Sequence, residues 1–243
     1  MEKIVFLHIP KTGGTSVHDY LITKFSGNEI IPDRFNTLRN HSPEHLNQFR
    51  YFSGHYDIDG INRIPGNKKV FTFFREPKET ILSLYYFWRS HKISFIEKHN
   101  LNGPRIAKKL SLLEFLRYNK EGIPANINNY TTRVLIGKMH YGPNGEFLYP
   151  EDELIDRAKA TINSLATFGV MDNYNKSYRK VIEDLGFKAP EIIPHSRNSS
   201  ERKDPNLEPI EKEKITDDIS EELEKLTQFD QVIYNYAKKT LNT

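Results

Sequence analysis

Cysteine is absent from all 243 residues, which excludes disulfides, thiolate zinc sites and a cysteine nucleophile. No apolar run reaches 18 residues, so no helical membrane anchor is expected. Met1-Glu2-Lys3 leads straight into Ile4-Val5-Phe6-Leu7-His8-Ile9, a run too short for a secretory leader and lacking a small-residue cleavage site. The expected compartment is therefore the cytosol. An excess of either charge is also missing. Thirty-five Lys and Arg against 32 Asp and Glu leave +3, which suits an anionic ligand but is too little to argue for nucleic acid.

What is there reads as one α/β domain over residues 1–243. Four short apolar runs, 3–9, 50–53, 69–74 and 167–171, have the pattern of buried strands in a mostly parallel sheet. Helical patterns follow at 15–25, 78–90, 174–185 and 220–241. Pro77 stands where a first helical residue tolerates a missing N–H, and Gly186 stands where a helix stops. Pro150-Glu151-Asp152-Glu153 opens a further helix, with its acids at the positive end of the dipole. Strands alternating with helices predict right-handed crossovers and helices on both faces of the sheet. Residues 197–209 form a long polar stretch without periodicity, either a functional loop or a disordered one.

The sharpest feature is Pro10-Lys11-Thr12-Gly13-Gly14-Thr15-Ser16, between the first strand and the first helix. Two glycines allow a tight turn that can aim several N–H groups at one anion, and the helix that follows adds its positive end. Lys11 supplies a mobile charge, and the hydroxyls of Thr12, Thr15 and Ser16 supply further donors. A Walker A loop is ruled out, because its lysine follows the glycines and here it precedes them. A tight turn with no ligand is the alternative.

This run, taken from His8 to Ser16, resembles the 5′-phosphosulfate loop of the sulfotransferase superfamily, in the branch of heparan sulfate 2-O-sulfotransferase and related bacterial enzymes. A second resemblance runs through Phe71-Thr72-Phe73-Phe74-Arg75-Glu76-Pro77 and on to Ser83-Leu84-Tyr85-Tyr86-Phe87. It implies that Arg75 and Ser83 grip the donor's 3′-phosphate, and a guanidinium fork suits that anion. Gly54-His55 is similar to the branch's Gly-His, which implies His55 as catalytic base; the branch's second histidine, two residues earlier, is Ser53 here. Residues 197–203, with Arg197, Ser199 and Lys203, resemble a late basic loop that closes over the 3′-phosphate. Residues 128–137 also look like a family segment, without an assigned role.

The resemblance implies a P-loop NTPase-like three-layer fold and a donor, 3′-phosphoadenosine 5′-phosphosulfate, which leaves as adenosine 3′,5′-bisphosphate. It implies O-sulfation of a sugar or polysaccharide hydroxyl, with no metal. Lys11 would neutralise charge on the leaving oxygen, and His55, ordinarily titrating near neutrality, would take the acceptor proton. Of the other histidines, His8 is expected to have a structural role, while His91, His99 and His140 are expected to be solvated. Ser42-Pro43 starts a helix after His41, so a zinc face shared by His41 and His45 is not expected, and His195 is the rival base. Tyr85-Tyr86-Phe87-Trp88-Arg89 suits packing or a sugar platform. Arg89, Lys92, Lys98, Arg105, Lys108 and Lys109 suit either an anionic acceptor or a solvated face. Acceptor choice is expected to rest on loops at 93–105 and 138–149. The competing readings are a nucleotide kinase or NTPase-like enzyme and a non-catalytic adenosine 3′,5′-bisphosphate-binding module.

Overall fold

Every residue of β1 (Lys3–Leu7) is buried, as its apolar run requires of a strand covered on both faces. The computed structural model, which describes residues 2–137, 145–193 and 204–241, sets β1 inside a four-stranded sheet. Its companions are β2 (Tyr51–Gly54), β3 (Lys68–Phe74) and β4 (Thr167–Val170), in the order β2-β1-β3-β4. All three pairings are parallel.

The helices in chain order are α1 (Gly14–Leu21), α2 (Pro43–Asn47), α3 (Ile58–Asn62), α4 (Pro77–Arg89), α5 (Ile93–His99) and α6 (Asn102–Lys109). Then come α7 (Leu112–Arg117), α8 (Pro124–Ile127), α9 (Tyr130–Ile136), α10 (Glu151–Ser164), α11 (Tyr174–Asp184) and α12 (Asp217–Leu241). Alternation along the strands divides their side chains between two faces. Ile4, Phe6, Phe71 and Phe73 pack with Val17 and Leu21 of α1 and with Tyr178 and Ile182 of α11. Val5, Leu7, Phe52 and Phe74 pack on the other face with Leu135 of α9, Leu154 and Ile162 of α10, and Ile233 of α12. This is a three-layer α/β fold. Each fully buried phenylalanine in it contributes about 1.5–3 kcal/mol. A separate cluster joins Ile81, Leu84 and Tyr85 of α4 to Ala107, Phe115, Ile127 and Leu223.

Local signals set the helix ends. Pro77 occupies the first turn of α4, and the Glu76 side chain accepts from the N–H of Glu79 at 2.7 Å. Ser42 does the same for α2, taking the His45 N–H at 3.2 Å, so His41 lies outside that helix as its sequence implied. The region 93–105, expected as a loop, holds α5 and the first half of α6 instead. Apolar residues there are sparse, and the helices form because Ile96, Ile106 and Ala107 find buried places as α6 packs on α4 and α5 packs on α6. His91 is likewise buried rather than solvated: its Nδ1 lies 2.9 Å from the carbonyl of Phe87, and its ring packs against Phe87 and Phe95.

The long closing helix is fixed to the rest by a reciprocal clamp at α9. Asn129, buried and in the left-handed region at φ 47°, donates its N–H to the carbonyl of Leu226 at 2.7 Å. Its Oδ1 accepts from the N–H groups of Phe229 and Asp230 at 2.8 and 3.2 Å. In return the Asp230 carboxyl accepts from the N–H groups of Thr131 and Thr132 and from the Thr132 hydroxyl at 3.0, 2.7 and 2.7 Å. Asp230 thus caps α9 from another element, and its burial makes these bonds costly to lose. Asn129→Ala is expected to cost about 2–4 kcal/mol in urea unfolding, because it strips acceptors from buried donors. A loss under about 1 kcal/mol would show that the clamp is incidental.

Candidate active site

In an open parallel sheet, ligands bind where successive strands diverge to opposite sides, beyond their carboxyl ends. Here β2 lies on one side of β1 and β3 on the other, so that point is the end of β1. A cleft of about 600 Å³ opens there. It is lined by Lys11, Gly13, Gly14, Thr15 and Ser16 after β1, by His55 after β2, and by Arg75 and Ser83 after β3. Residues separated by up to 72 positions in the chain (83 − 11) therefore share one cavity.

The loop after β1 is tightly wound. Lys11 and Gly13 both have positive φ, 65° and 74°. At Lys11 this costs on the order of 1 kcal/mol, which a glycine would not pay. Gly14 is required for a different reason: a Cβ there would lie 2.3 Å from Nε2 of His8. Three carbonyls of the turn are engaged by side chains. The Thr12 hydroxyl donates to Ile9 at 2.8 Å, Arg75 Nη1 donates to Lys11 at 3.2 Å, and the Tyr174 hydroxyl donates to Gly13 at 3.0 Å. Carbonyl oxygens that would repel an anion are thereby occupied. Thr12 is buried, with its hydroxyl on Ile9, whereas Thr15 and Ser16 line the cleft at the start of α1. The Lys11 ammonium sits 4.1 Å from the centre of the Phe87 ring.

Arg75 follows β3, and its guanidinium is about a quarter exposed, held between the Lys11 carbonyl and Glu79 at 3.1 Å. Ser83 is two turns down α4, on the same side as Thr80 and Phe87, which also line the cleft. Arg197, Ser199, Lys203, His195 and His140 lie outside the described residues.

His55 follows β2 and sits against β1. Its Nδ1 lies 2.7 Å from the carbonyl of His8, which fixes that nitrogen as the N–H donor and leaves Nε2 as the basic atom. The two imidazoles stand 4.7 Å apart, and the His8 ring is stacked on Phe6. Burial, with a smaller effect from the Arg34 charge, holds His55 below the usual imidazole range, against the opposing pull of the His8 carbonyl. The ring is therefore neutral near pH 7 and able to accept a proton. Ser53, standing where a tandem histidine would be, meets a different imidazole: His18 Nδ1 lies 2.9 Å from its hydroxyl. Burial pushes His18 down to about 4.

Among the lining residues, Phe35, Met171 and Asp230 have no local sequence signal, while Trp88 comes from the aromatic run at 85–89 and Tyr130 and Thr131 from the segment 128–137. Tyr174 could have been found, since it opens the helix just beyond the fourth strand end. Burial pushes its phenol up to about 12, so it keeps the proton that it donates to Gly13. Burial also raises the Asp230 carboxyl, opposed by the Thr131 and Thr132 donors. Among the described residues, no group of three or more His, Asp or Glu side chains is arranged to hold a metal ion, and no helix is long and apolar enough to cross a membrane.

Compared with known proteins, residues 1–237 match the sequence model of the sulfotransferase family. No curated protein matches the chain.

The two low-titrating imidazoles have a consequence for stability. Each takes up a proton near pH 6.5 when unfolded but only at lower pH when folded, so their effect is nil above about pH 6.5 and destabilising below it. The melting temperature is expected to fall as pH drops from about 6.5 towards about 4, and His18→Asn should flatten that fall. An unchanged slope in the variant would mean that His18 is not held neutral.

Proposed function

The chain belongs to the sulfotransferase family, and from that premise we propose that it moves a sulfuryl group from 3′-phosphoadenosine 5′-phosphosulfate to a hydroxyl of a carbohydrate-like acceptor, with His55 as general base. The observation that carries this reading is the convergence of Lys11, the glycine turn, Arg75, Ser83 and His55 on one cleft. Residues 1–243 are read as a single domain built around it.

The residues fit the donor. Two close-packed glycines, engaged carbonyls and the start of α1 make a cradle for the 5′-phosphate, in which Lys11 and the loop from Thr12 to Ser16 are the contacts. Arg75 and Ser83 are the contacts for the 3′-phosphate, with Arg197, Ser199 and Lys203 proposed to complete them. When bound, the donor supplies a sulfuryl group on a phosphate leaving group, whose oxygen gains negative charge during transfer. Lys11 leaves its place over Phe87 to meet that charge, and the low dielectric of the cleft strengthens the contact. His55 takes the acceptor proton at Nε2 while the His8 carbonyl holds Nδ1–H and keeps the ring oriented. Such transfer draws on positioning and charge stabilisation rather than on a metal, and the proposed setting is cytosolic.

Calorimetric titration is the first test. Adenosine 3′,5′-bisphosphate should bind, ATP with Mg²⁺ should not, and Arg75→Ala should weaken the bisphosphate by about 2–3 kcal/mol. Binding of ATP alone would return the chain to the kinase-like class. For the chemistry, Lys11→Ala and His55→Ala should each lower turnover by about 10²-fold or more, with bisphosphate binding retained in His55→Ala. If His55→Ala loses binding and turnover together, the residue is structural.

A further inference from the structure

The cleft has a second half that the donor does not use, and its chemistry bears on the acceptor. Arg34 ties the two halves together: its carbonyl accepts the His55 N–H at 2.8 Å, which sets the next residue, Phe35, beside the base. Phe35 lines the cleft and is 72% exposed, an unusual place for a phenylalanine unless something covers it. Trp88, Ile127 and Tyr130 continue the apolar lining, and Asn126, Thr131 and the Asp230 carboxyl add hydrogen-bonding groups to it.

Charge in the lining is distributed in one sense. Among the described residues, its formal cations are Lys11 and Arg75, both assigned to the donor, and its carboxyl is Asp230. Three of the six residues in the basic segment that could have served a polyanion are engaged within the fold. Arg89 donates to the Tyr85 hydroxyl and to the carbonyls of Ala107 and Leu110 at 3.0, 2.8 and 2.7 Å. Lys108 binds the Arg89 carbonyl and Glu208, and Arg105 pairs with Glu121 at 3.0 Å.

We propose that the acceptor is a neutral glycoside, bound with an apolar sugar face on Phe35 and its hydroxyls towards the Asn126, Thr131 and Asp230 side, rather than a uronate-rich polyanion. The inference rests on the donor reading given above. The acceptor O–H loses its proton to His55 Nε2 as the new O–S bond forms and the bond from sulfur to the phosphate oxygen breaks. A carboxyl in the wall accepts from sugar hydroxyls but disfavours a carboxylate on the acceptor. Aromatic rings in the lining favour the C–H face of a sugar over a highly hydrated anion.

Transfer of radiolabelled sulfate from the donor tests it, with three acceptor sets: alkyl glycosides of neutral sugars, free neutral oligosaccharides, and hyaluronan as an unsulfated uronate polymer. Transfer to either neutral set is expected with kcat/KM at least about tenfold above hyaluronan, and with little change between about 50 and about 300 mM NaCl. The first two sets distinguish a lipid-borne from a free glycoside. Phe35→Ala should raise KM for the neutral acceptor about fivefold to tenfold and leave the affinity for adenosine 3′,5′-bisphosphate unchanged. A preference for hyaluronan that fades with salt, or transfer to none of the three while the bisphosphate still binds, overturns the neutral-glycoside proposal alone. Loss of bisphosphate binding instead overturns the donor reading, and this proposal with it.

Discussion

Gly14 lies so close to the His8 ring that a Cβ would be 2.3 Å from Nε2, and this contact couples the anion loop to the candidate base. His8 is the last link of β1 before the turn. Its N–H bonds the Gly54 carbonyl at 3.0 Å, its own carbonyl meets His55 Nδ1, and its ring supports the loop. One residue thus sets the height of the loop, the tautomer of His55 and the spacing between β1 and β2. Nothing larger than glycine fits above it, so two glycines in sequence do different work: Gly13 supplies a left-handed turn and Gly14 supplies closeness.

The loop also shows local stability yielding to geometry. Lys11 holds a left-handed backbone that a glycine would hold at lower cost, and its carbonyl is steadied by Arg75. Placing the lysine there sends its side chain towards Phe87 on α4, across the cleft mouth. The contact with the ring contributes about 0.5–1 kcal/mol, similar in size to the strain, and keeps the ammonium beside the cavity. Arg75 pairs with Glu79 while still a quarter exposed. A bound phosphate can compete for it, because a pair this accessible contributes little by itself.

The parts legible in the sequence are those governed by near neighbours. All four strands fall within one or two residues of their apolar runs, since a parallel strand buried on both faces must be apolar throughout. The glycine turn, Pro77 at the start of α4 and Ser42 before α2 are likewise local chemistry. Helices α5 and α6 were hidden because their propensity is modest and their stability comes from packing, α6 on α4 and α5 on α6. His18 drew no notice in the sequence, as its partner Ser53 is 35 residues away and only the sheet brings them together.

Residues 128–137 carry the same lesson into the site. Their motif gave no role because the role is relational: Asn129 reaches into α12 and Asp230 reaches back, 101 positions later in the chain. That exchange presents Tyr130 and Thr131 to the cleft from a short helix too small to hold itself in place. The half of the cavity proposed for the donor stands on the loops that follow β1 and β3, and so on the sheet itself. The other half stands on α9 and on Phe35, each held by a few specific bonds, so its residues can change without disturbing the strands. A fold divided in this way can keep one donor while its acceptor varies.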